Sequence, residues 1–242
     1  GRAFSFLFSL FCINTHFPPF YSSFRLGLFP RSFPLTILRE NRPYKTTLPK
    51  KGGKPMKTLI LNGSPKRNGD TAALIEEFTK HLKGDVRVVS SYFDNISPCL
   101  DCRHCRSTPG CIINDDLQNV YPYLEACDNL VIASPVWFSE LSGPLLTLAS
   151  RIQTYFAARQ FRNEPNRIKH KNGILILVGA EKGTEEKASS TAHTILKHMN
   201  ALPCIASIFS LNTNHIPAAD DLSALDAARY AALLLNQLLG DS

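Results

Sequence analysis

The feature that most constrains the fold of this chain is an alternation of short apolar runs with longer amphipathic segments from residue 57 onward. Short runs rich in apolar residues, with both faces covered, are typical of strands in a parallel sheet. They are predicted at 57–62, 85–91, 129–134, 173–179 and 204–211. Segments with helical spacing lie between and after them, at 70–83, 115–127, 143–159, 184–200 and 221–239. The sequence therefore predicts an α/β fold, a doubly wound five-stranded parallel sheet in a three-layer sandwich.

This topology also predicts where a ligand would bind. In doubly wound sheets, ligands lie beyond the carboxyl ends of the strands, where the strand order reverses. The loops after the first, third and fourth predicted strands are therefore the expected site.

The basic charge of the chain is concentrated near its amino terminus. The 242 residues carry a formal charge of +7, yet residues 1–55 contain nine Lys or Arg and one acid, whereas residues 56–242 contain 18 bases and 19 acids. The second segment is close to neutral and lacks the basic patch that favours binding to nucleic acid or an anionic membrane. No apolar run is long enough to span a bilayer. We therefore expect neither a nucleic-acid nor a membrane partner.

Residues 1–55 also have an unusual composition, with nine of the 15 Phe and no sustained periodicity. Lys51-Gly52-Gly53 is what a purine-rich bacterial ribosome-binding site would encode if it were translated, and Met56 follows after a short spacer. We expect translation to start at Met56, residues 1–55 to be a non-native extension of the gene model, and residues 56–242 to form one domain. A targeting or membrane-associated leader is the alternative, although no small-residue cleavage site follows the first apolar run.

Four cysteines lie close together in the segment between the second and third predicted strands, with the spacing C-x2-C-x2-C-x5-C. They are Cys99, Cys102, Cys105 and Cys111. Thiolates at this spacing can converge on one point, and soft thiolates are the ligands of iron–sulfur clusters. Bound zinc and a loop without metal are the alternatives. Seven cysteines without a clear secretory signal favour a reducing cytoplasm over a disulfide framework.

The loop after the first predicted strand contains groups that bind phosphate. It offers the hydroxyls of Ser64 and Thr71, the amide of Asn68, the cations Lys66 and Arg67, and the start of a helix. Its spacing matches neither a Walker loop nor a dinucleotide fingerprint. An ordinary strand-to-helix turn capped by the acid at position 70 is the alternative, and that acid would repel a phosphate unless it points away.

Two further loops at the same predicted edge suit a flat heterocycle. An aromatic pair, Trp137 and Phe138, follows the third strand and would present ring faces to a ligand, or would instead fill a gap between helix and sheet. The fourth strand ends at Gly179, where the absence of a side chain permits close approach of the backbone.

Together, residues 61–69, the cysteine run, residues 113–116 and residues 133–138 resemble the NADPH-dependent FMN reductase superfamily, and within it the iron–sulfur flavoprotein branch. The resemblance covers nearly all of residues 56–242. It implies a flavodoxin-like fold, FMN, a [4Fe–4S] cluster and a homo-oligomer. Trp137 departs from the family pattern, which more often has Tyr at this position.

The resemblance also assigns residues to each group. It implies that the FMN phosphate binds Ser64, Lys66, Arg67, Asn68 and Thr71. It implies that the isoalloxazine contacts Pro135, Val136, Trp137, Phe138, Gly179, Ala180 and Glu181. It implies that the cluster is bound by Cys99, Cys102, Cys105 and Cys111. No acid–base residue is expected to be catalytic, because the flavin carries the chemistry.

Three functions remain open at this point. The first is an iron–sulfur flavoprotein that passes electrons from a ferredoxin-like donor to a small acceptor such as a quinone. The second is a cluster-free NAD(P)H-dependent FMN or quinone reductase, and the third is a flavodoxin-like electron carrier without catalytic activity.

Several single residues are expected to have structural roles. Cys127 and Cys204 are predicted to be buried, Arg151 to be a solvated charge on a helix, and His215 to lie on a loop surface. Asp115, beside Asp116, is expected to cap the helix that follows the cysteines.

Overall fold

Five parallel strands form the sheet that the sequence predicts. The computed structural model describes residues 55–240. Its main strands are β1 (Lys57–Asn62), β2 (Asp85–Ser90), β3 (Asn129–Trp137), β5 (Asn172–Val178) and β6 (Cys204–Ser210). A two-residue strand, β4 (Glu140–Leu141), pairs antiparallel with the end of β3. The strand order β2-β1-β3-β5-β6 is that of a flavodoxin-like doubly wound sheet once β4 is left aside, and the predicted fold class is confirmed.

Seven α-helices connect or follow the strands in the described part of the chain. They are α1 (Asp70–His81), α2 (His104–Ser107), α3 (Tyr121–Ala126), α4 (Gly143–Ser150), α5 (Gln153–Arg162), α6 (Glu186–His198) and α7 (Leu222–Gly240). A 3-10 turn, Asp116–Asn119, precedes α3. Within residues 55–240, none of the helices combines the length and the apolar character needed to cross a membrane.

Successive strand residues point to opposite faces of the sheet, and each face has its own core. Leu59 and Leu61 pack with α3, α4, α5 and α6, whereas Ile60 packs with α1 and α7. All three side chains are buried. This arrangement explains why the strands are apolar along their whole length, since helices cover the sheet on both sides.

The predicted helix over 143–159 is divided in two, which corrects the prediction. After Ser150 the backbone tightens, and the amides of Arg151 and Ile152 bond to carbonyls three residues earlier. A 3-10 turn of this kind changes the direction of the helix between α4 and α5. The corner places Arg151 in the protein interior rather than in solvent.

The predicted helix over 115–127 is likewise divided, into the 3-10 turn and α3. Two short elements escaped prediction, α2 inside the cysteine segment and the strand β4. The predictions made for residues 1–55 lie outside the described residues.

Candidate functional site

The loop after β1 joins the sheet to the start of α1 and brings the predicted phosphate ligands onto one turn. Ser64 and Thr71 are buried, whereas Lys66, Arg67 and Asn68 are exposed. The hydroxyl of Ser64 accepts a hydrogen bond from the backbone amide of Lys66 at 3.2 Å, which holds the turn closed. The guanidinium of Arg67 lies 3.9 Å from the ring centre of Phe93. The loop thus combines a rigid base with two exposed cations.

The amino terminus of α1 suits an anion. Its N-cap residue is Gly69, and among the described residues no side chain caps the helix. The free amides and the helix dipole at such an end favour a negative charge. Asp70 does not act as the predicted cap, because its carboxylate accepts a hydrogen bond from the amide of Ala218 at 2.8 Å. Its carboxylate is therefore bonded to the segment before α7.

The loop after β1 also touches α4. A Cβ atom added at Gly63 would lie 2.7 Å from Oγ of Ser142 and 3.0 Å from Cβ of Leu145. The backbone of Gly63 is fixed on its other side, since its amide donates to the carbonyl of Ala133 at 2.7 Å. Only glycine permits this close packing of the loop against the first turn of α4.

The predicted aromatic pair lies on a tight hairpin between β3 and β4. Phe138 and Ser139 both have positive φ values, 52° and 60°, as a type I′ turn requires. Trp137 is 45% exposed and Phe138 fully exposed, so neither fills a gap between helix and sheet. The rings of Trp137 and Tyr92 are arranged edge to face, with their centres 6.5 Å apart.

The hairpin is tied to α6 by Glu140. One carboxylate oxygen of Glu140 accepts from the amide of Leu141, and the other accepts from the hydroxyl of Thr191 at 3.1 Å. Pro135 and Val136, the other predicted contacts on β3, are partly buried at its carboxyl end. The exposed aromatic rings therefore project from a fixed base.

The loop after β5 is connected to the loop after β6. The carbonyl of Gly179 accepts hydrogen bonds from the amide and the hydroxyl of Thr213. Gly179 is buried, whereas Ala180 and Glu181 are exposed. These residues lie at the same edge of the sheet as the hairpin, because β3 and β5 are parallel neighbours.

The four cysteines of the predicted cluster line one cavity of about 360 Å³. The chain between them is unusual, since Asp101 and Arg103 both adopt left-handed backbone conformations with φ of 45° and 63°. The opposite wall is formed by Ser150 and Arg151 at the corner between α4 and α5 and by Phe161 near the end of α5. The cysteine segment therefore folds over this corner.

The thiols share this cavity without forming a ligand group. In residues 55–240, no three or more His, Cys, Asp or Glu side chains are placed so that they could hold a metal ion. The thiols are nevertheless close enough to influence each other. Burial raises the pKa of the Cys105 thiol, and the neighbouring thiols of Cys111, Cys99 and Cys102 raise it further. Four soft donors around one cavity are the chemistry that an iron–sulfur cluster or zinc requires.

Side chains at the helix corner and at the end of α5 hold the cysteine segment. The amide of Cys99 donates to Oγ of Ser150 at 3.0 Å, and the guanidinium of Arg162 donates to the carbonyl of Cys105. Arg151, predicted to be solvated, is instead 1% exposed and forms an ion pair with Asp115. That prediction was wrong because the corner turns this side chain inward.

Asp115 has the predicted capping role and a second one. Its carboxylate accepts from the amide of Leu117, which caps the 3-10 turn. Burial by itself raises the pKa of Asp115, but the hydrogen bonds from Arg151 and from the amides of Ser97 and Leu117 bring it below its ordinary value. The carboxylate is therefore charged at neutral pH.

The remaining candidates lie where the sequence places them, with one difference. Cys127 is buried and His215 is exposed, whereas Cys204 is only partly buried. Tyr92 and Phe93 were missed by the sequence analysis. Their position directly after β2, at the predicted ligand edge, was the signal that would have identified them.

The family model described as NADPH-dependent FMN reductase matches residues 56–215 of this chain. An iron–sulfur flavoprotein of Methanocaldococcus jannaschii is 29% identical over 161 residues, covering 65% of this chain and 79% of the relative. An iron–sulfur flavoprotein of Methanosarcina thermophila is 26% identical over 142 residues, covering 57% of this chain and 71% of the relative.

A solved structure confirms the fold. The NAD(P)H:quinone oxidoreductase of Methanothermobacter marburgensis superimposes with a TM-score of 0.56 at 18% identity. The match covers 75% of this chain and 96% of that structure.

Proposed function

This chain belongs to the NADPH-dependent FMN reductase family and is an FMN-dependent oxidoreductase, and we propose that it moves electrons between a reduced donor and a small acceptor such as a quinone. An iron–sulfur cluster would be its second redox centre. The names of the Methanocaldococcus and Methanosarcina relatives support the second centre. The alternative is a reductase that has no cluster.

The loop after β1 would hold the FMN phosphate. Lys66 and Arg67 supply positive charge, Asn68 supplies an amide, and Ser64 and Thr71 lie at the buried base of the turn. The uncapped amino terminus of α1 adds backbone amides that no side chain of the described chain occupies. This donor set fits a phosphate dianion, and the carboxylate of Asp70 is held by the segment before α7.

The hairpin and the loop after β5 would hold the isoalloxazine ring. Trp137 and Phe138 offer exposed aromatic faces, and the type I′ turn fixes their positions. The other proposed contacts are Pro135, Val136, Gly179, Ala180 and Glu181. Bound FMN supplies the conversion between hydride transfer and single-electron transfer.

The cysteine cavity would hold the cluster on Cys99, Cys102, Cys105 and Cys111. All four cysteines line one cavity, and soft thiolates suit iron. The thiols would have to move inward to bind, because they form no ligand group in the structure.

One observation carries the proposal that both sites act together. Helix α4 contacts the loop after β1 through Ser142 and Leu145 at its first turn, and it ends at Ser150, which bonds to the amide of Cys99. A helix of eight residues is about 12 Å long. The proposed phosphate loop and the cysteine segment therefore contact opposite ends of one two-turn helix.

The absorption spectrum of anaerobically purified protein, with iron and sulfide quantitation, tests the proposal. We expect flavin bands together with broad thiolate-to-iron absorption, which replacement of Cys105 with Ser would remove while the flavin bands stay. Replacement of Cys127, a buried cysteine outside the cavity, with Ala is the matched control. Flavin without iron or sulfide in the anaerobic wild-type protein would favour the cluster-free reductase.

The electron donor is tested separately. Oxidation of NAD(P)H with a quinone as acceptor would identify a nicotinamide donor. Activity only with a reduced ferredoxin would identify a protein donor, and activity with neither would favour a carrier role. We also propose a cytoplasmic homo-oligomer, which sedimentation of the purified protein would test.

A further inference from the structure

Among the ion pairs of residues 55–240, the one between Arg151 and Asp115 is withdrawn from solvent on both sides. The guanidinium of Arg151 meets the carboxylate of Asp115 through two nitrogen–oxygen contacts, at 2.5 Å and 3.3 Å. Their side chains are 0% and 1% exposed. Burial of two charges is costly, and apolar residues of similar size often stabilise a protein as well as a buried pair does. A role in placing other groups would explain this pair.

The pair connects the two ends of the cysteine segment. Before the cysteines, Ser97 donates its amide to Asp115 at 2.9 Å, and its carbonyl accepts from Arg151 at 2.9 Å. After the cysteines, the carbonyl of Ile113 accepts from Arg151 at 3.4 Å. Ser97 and Ile113 lie two residues outside the first and last cysteine. The 15 residues from 98 to 112 are therefore closed into a loop at its base.

The same arginine also faces the cysteines. Arg151 lines the cavity that the four thiols share. Its Nε atom is buried and has no hydrogen-bond partner among the described residues. Its two terminal nitrogens are thus engaged with the loop base.

We propose that the Arg151–Asp115 pair is a positioning device, which closes the base of the cysteine loop and keeps the four cysteines around one cavity, where they can bind a metal group. The flat fork of the guanidinium is essential, because it reaches the carboxylate and two carbonyls at once. This inference rests on the proposed cluster function but concerns residues that are not ligands.

Three variants of the full chain test the proposal. Arg151→Met removes the fork, and Arg151→Lys keeps the charge with a single donor group. Arg159→Met is the matched control. It makes the same chemical change on α5, outside the base of the cysteine loop. Retained FMN binding, followed by flavin fluorescence, reports that the domain is folded.

The first measurement uses no metal. Alkylation of the four cysteines by iodoacetamide is followed residue by residue by mass spectrometry. We expect Cys105 and Cys111 to be alkylated faster in Arg151→Met than in the wild type or in Arg159→Met. The alkylation rates in Arg151→Lys should lie between these. Unchanged labelling in a folded Arg151→Met variant would overturn the proposal.

The second measurement titrates the reduced, metal-free protein with Co(II) and follows the thiolate charge-transfer absorption. Loss of an outer-shell partner typically weakens metal binding about 10- to 100-fold, and we expect that loss for Arg151→Met but not for Arg159→Met. Equal Co(II) affinities in the three proteins would contradict the positioning role.

Misfolding and failure of the proposed function have distinct outcomes. If Arg151→Met does not fold, both measurements are made on Asp115→Asn/Arg151→Met, which leaves no charge buried. If purified wild type contains no iron or sulfide while the alkylation pattern changes as expected, the cluster proposal fails and the positioning role stands. If the wild type holds a cluster and the four cysteines are alkylated at the same rates in all variants, the positioning role fails and the cluster proposal stands.

Discussion

Replacement of Gly63 with Ala tests the contact between the loop after β1 and α4. The added Cβ atom would lie 3.0 Å from Cβ of Leu145, whereas carbon atoms in contact prefer about 3.5–4.0 Å. The hydroxyl of Ser142, 2.7 Å away, can rotate because it has no hydrogen-bond partner in the described structure. The Leu145 carbon cannot, since it is attached to the helix backbone.

The loop and the helix must therefore separate by about 0.5–1 Å. The end of β1 cannot move freely, because the amide of Gly63 bonds to Ala133 in the centre of the sheet. Overpacking of this kind costs about 1–3 kcal/mol. In a domain of this size, each kcal/mol lowers Tm by about 2–4 °C, so we expect a decrease of about 2–12 °C.

We also expect FMN binding to weaken about 10-fold, which corresponds to about 1.4 kcal/mol. The loss of one charge-assisted hydrogen bond to the phosphate would account for it. Flavin fluorescence titration measures the affinity, and circular dichroism measures Tm.

Gly143→Ala is the matched control. Gly143 begins α4, and an added Cβ would meet nothing within 4 Å. This variant should bind FMN as the wild type does and unfold at the same or a higher temperature. A Gly63→Ala variant with wild-type Tm and wild-type affinity would refute the reasoning that this contact positions the loop.

Other predictions follow from the buried pair, the glycines and the hairpin. Arg151→Met should cost about 3–5 kcal/mol in urea unfolding, because it leaves Asp115 buried and unpaired, and the double variant with Asp115→Asn should cost less than the single one. The pKa of Asp115 is lowered in the fold, so its stabilising contribution is complete above about pH 4 and is lost as the pH falls further. The stability difference between the wild type and Asp115→Asn, measured by urea unfolding, should therefore stay constant down to about pH 4 and shrink as the pH falls below that value. Gly84→Ala should lower Tm more than Gly110→Ala does. Both glycines have positive φ, but only at Gly84 would an added Cβ lie against a backbone oxygen, at 2.2 Å. Trp137→Ala should weaken FMN binding by about 0.5–1.5 kcal/mol, or up to about tenfold, in a fluorescence titration, whereas Trp137→Tyr should retain most of the affinity.

The sheet was predictable because its strands carry a strong signal. Residues 59–61 are buried on both faces, so every position must be apolar, and the run is visible without knowledge of its neighbours. The predicted first strand has the observed bounds, Lys57–Asn62. The third strand is longer than predicted, because Val136 and Trp137 pair with β4 beyond a turn that has no glycine. Type I′ turns usually contain Asn or Gly, and their absence concealed the hairpin.

The cysteine spacing predicted which thiols would lie together, but the fold of their segment could not be inferred from it. The loop is irregular, and residues in the left-handed region at 101 and 103 are an aspartate and an arginine rather than glycines. Periodicity gives no information on such a segment, since its conformation depends on hydrogen bonds to distant residues.

Arg151 shows the same limit for a single side chain. It lies 36 residues from Asp115 in sequence, and an arginine on an amphipathic helix is normally solvated. Its burial depends on the corner between α4 and α5, where the guanidinium bonds to the base of the cysteine loop. The charge, the corner and the loop therefore stabilise each other and cannot be predicted separately. Because α4 carries the contact with Gly63 at one end and this corner at the other, the proposed phosphate loop and the cysteine loop are connected by a helix of only two turns.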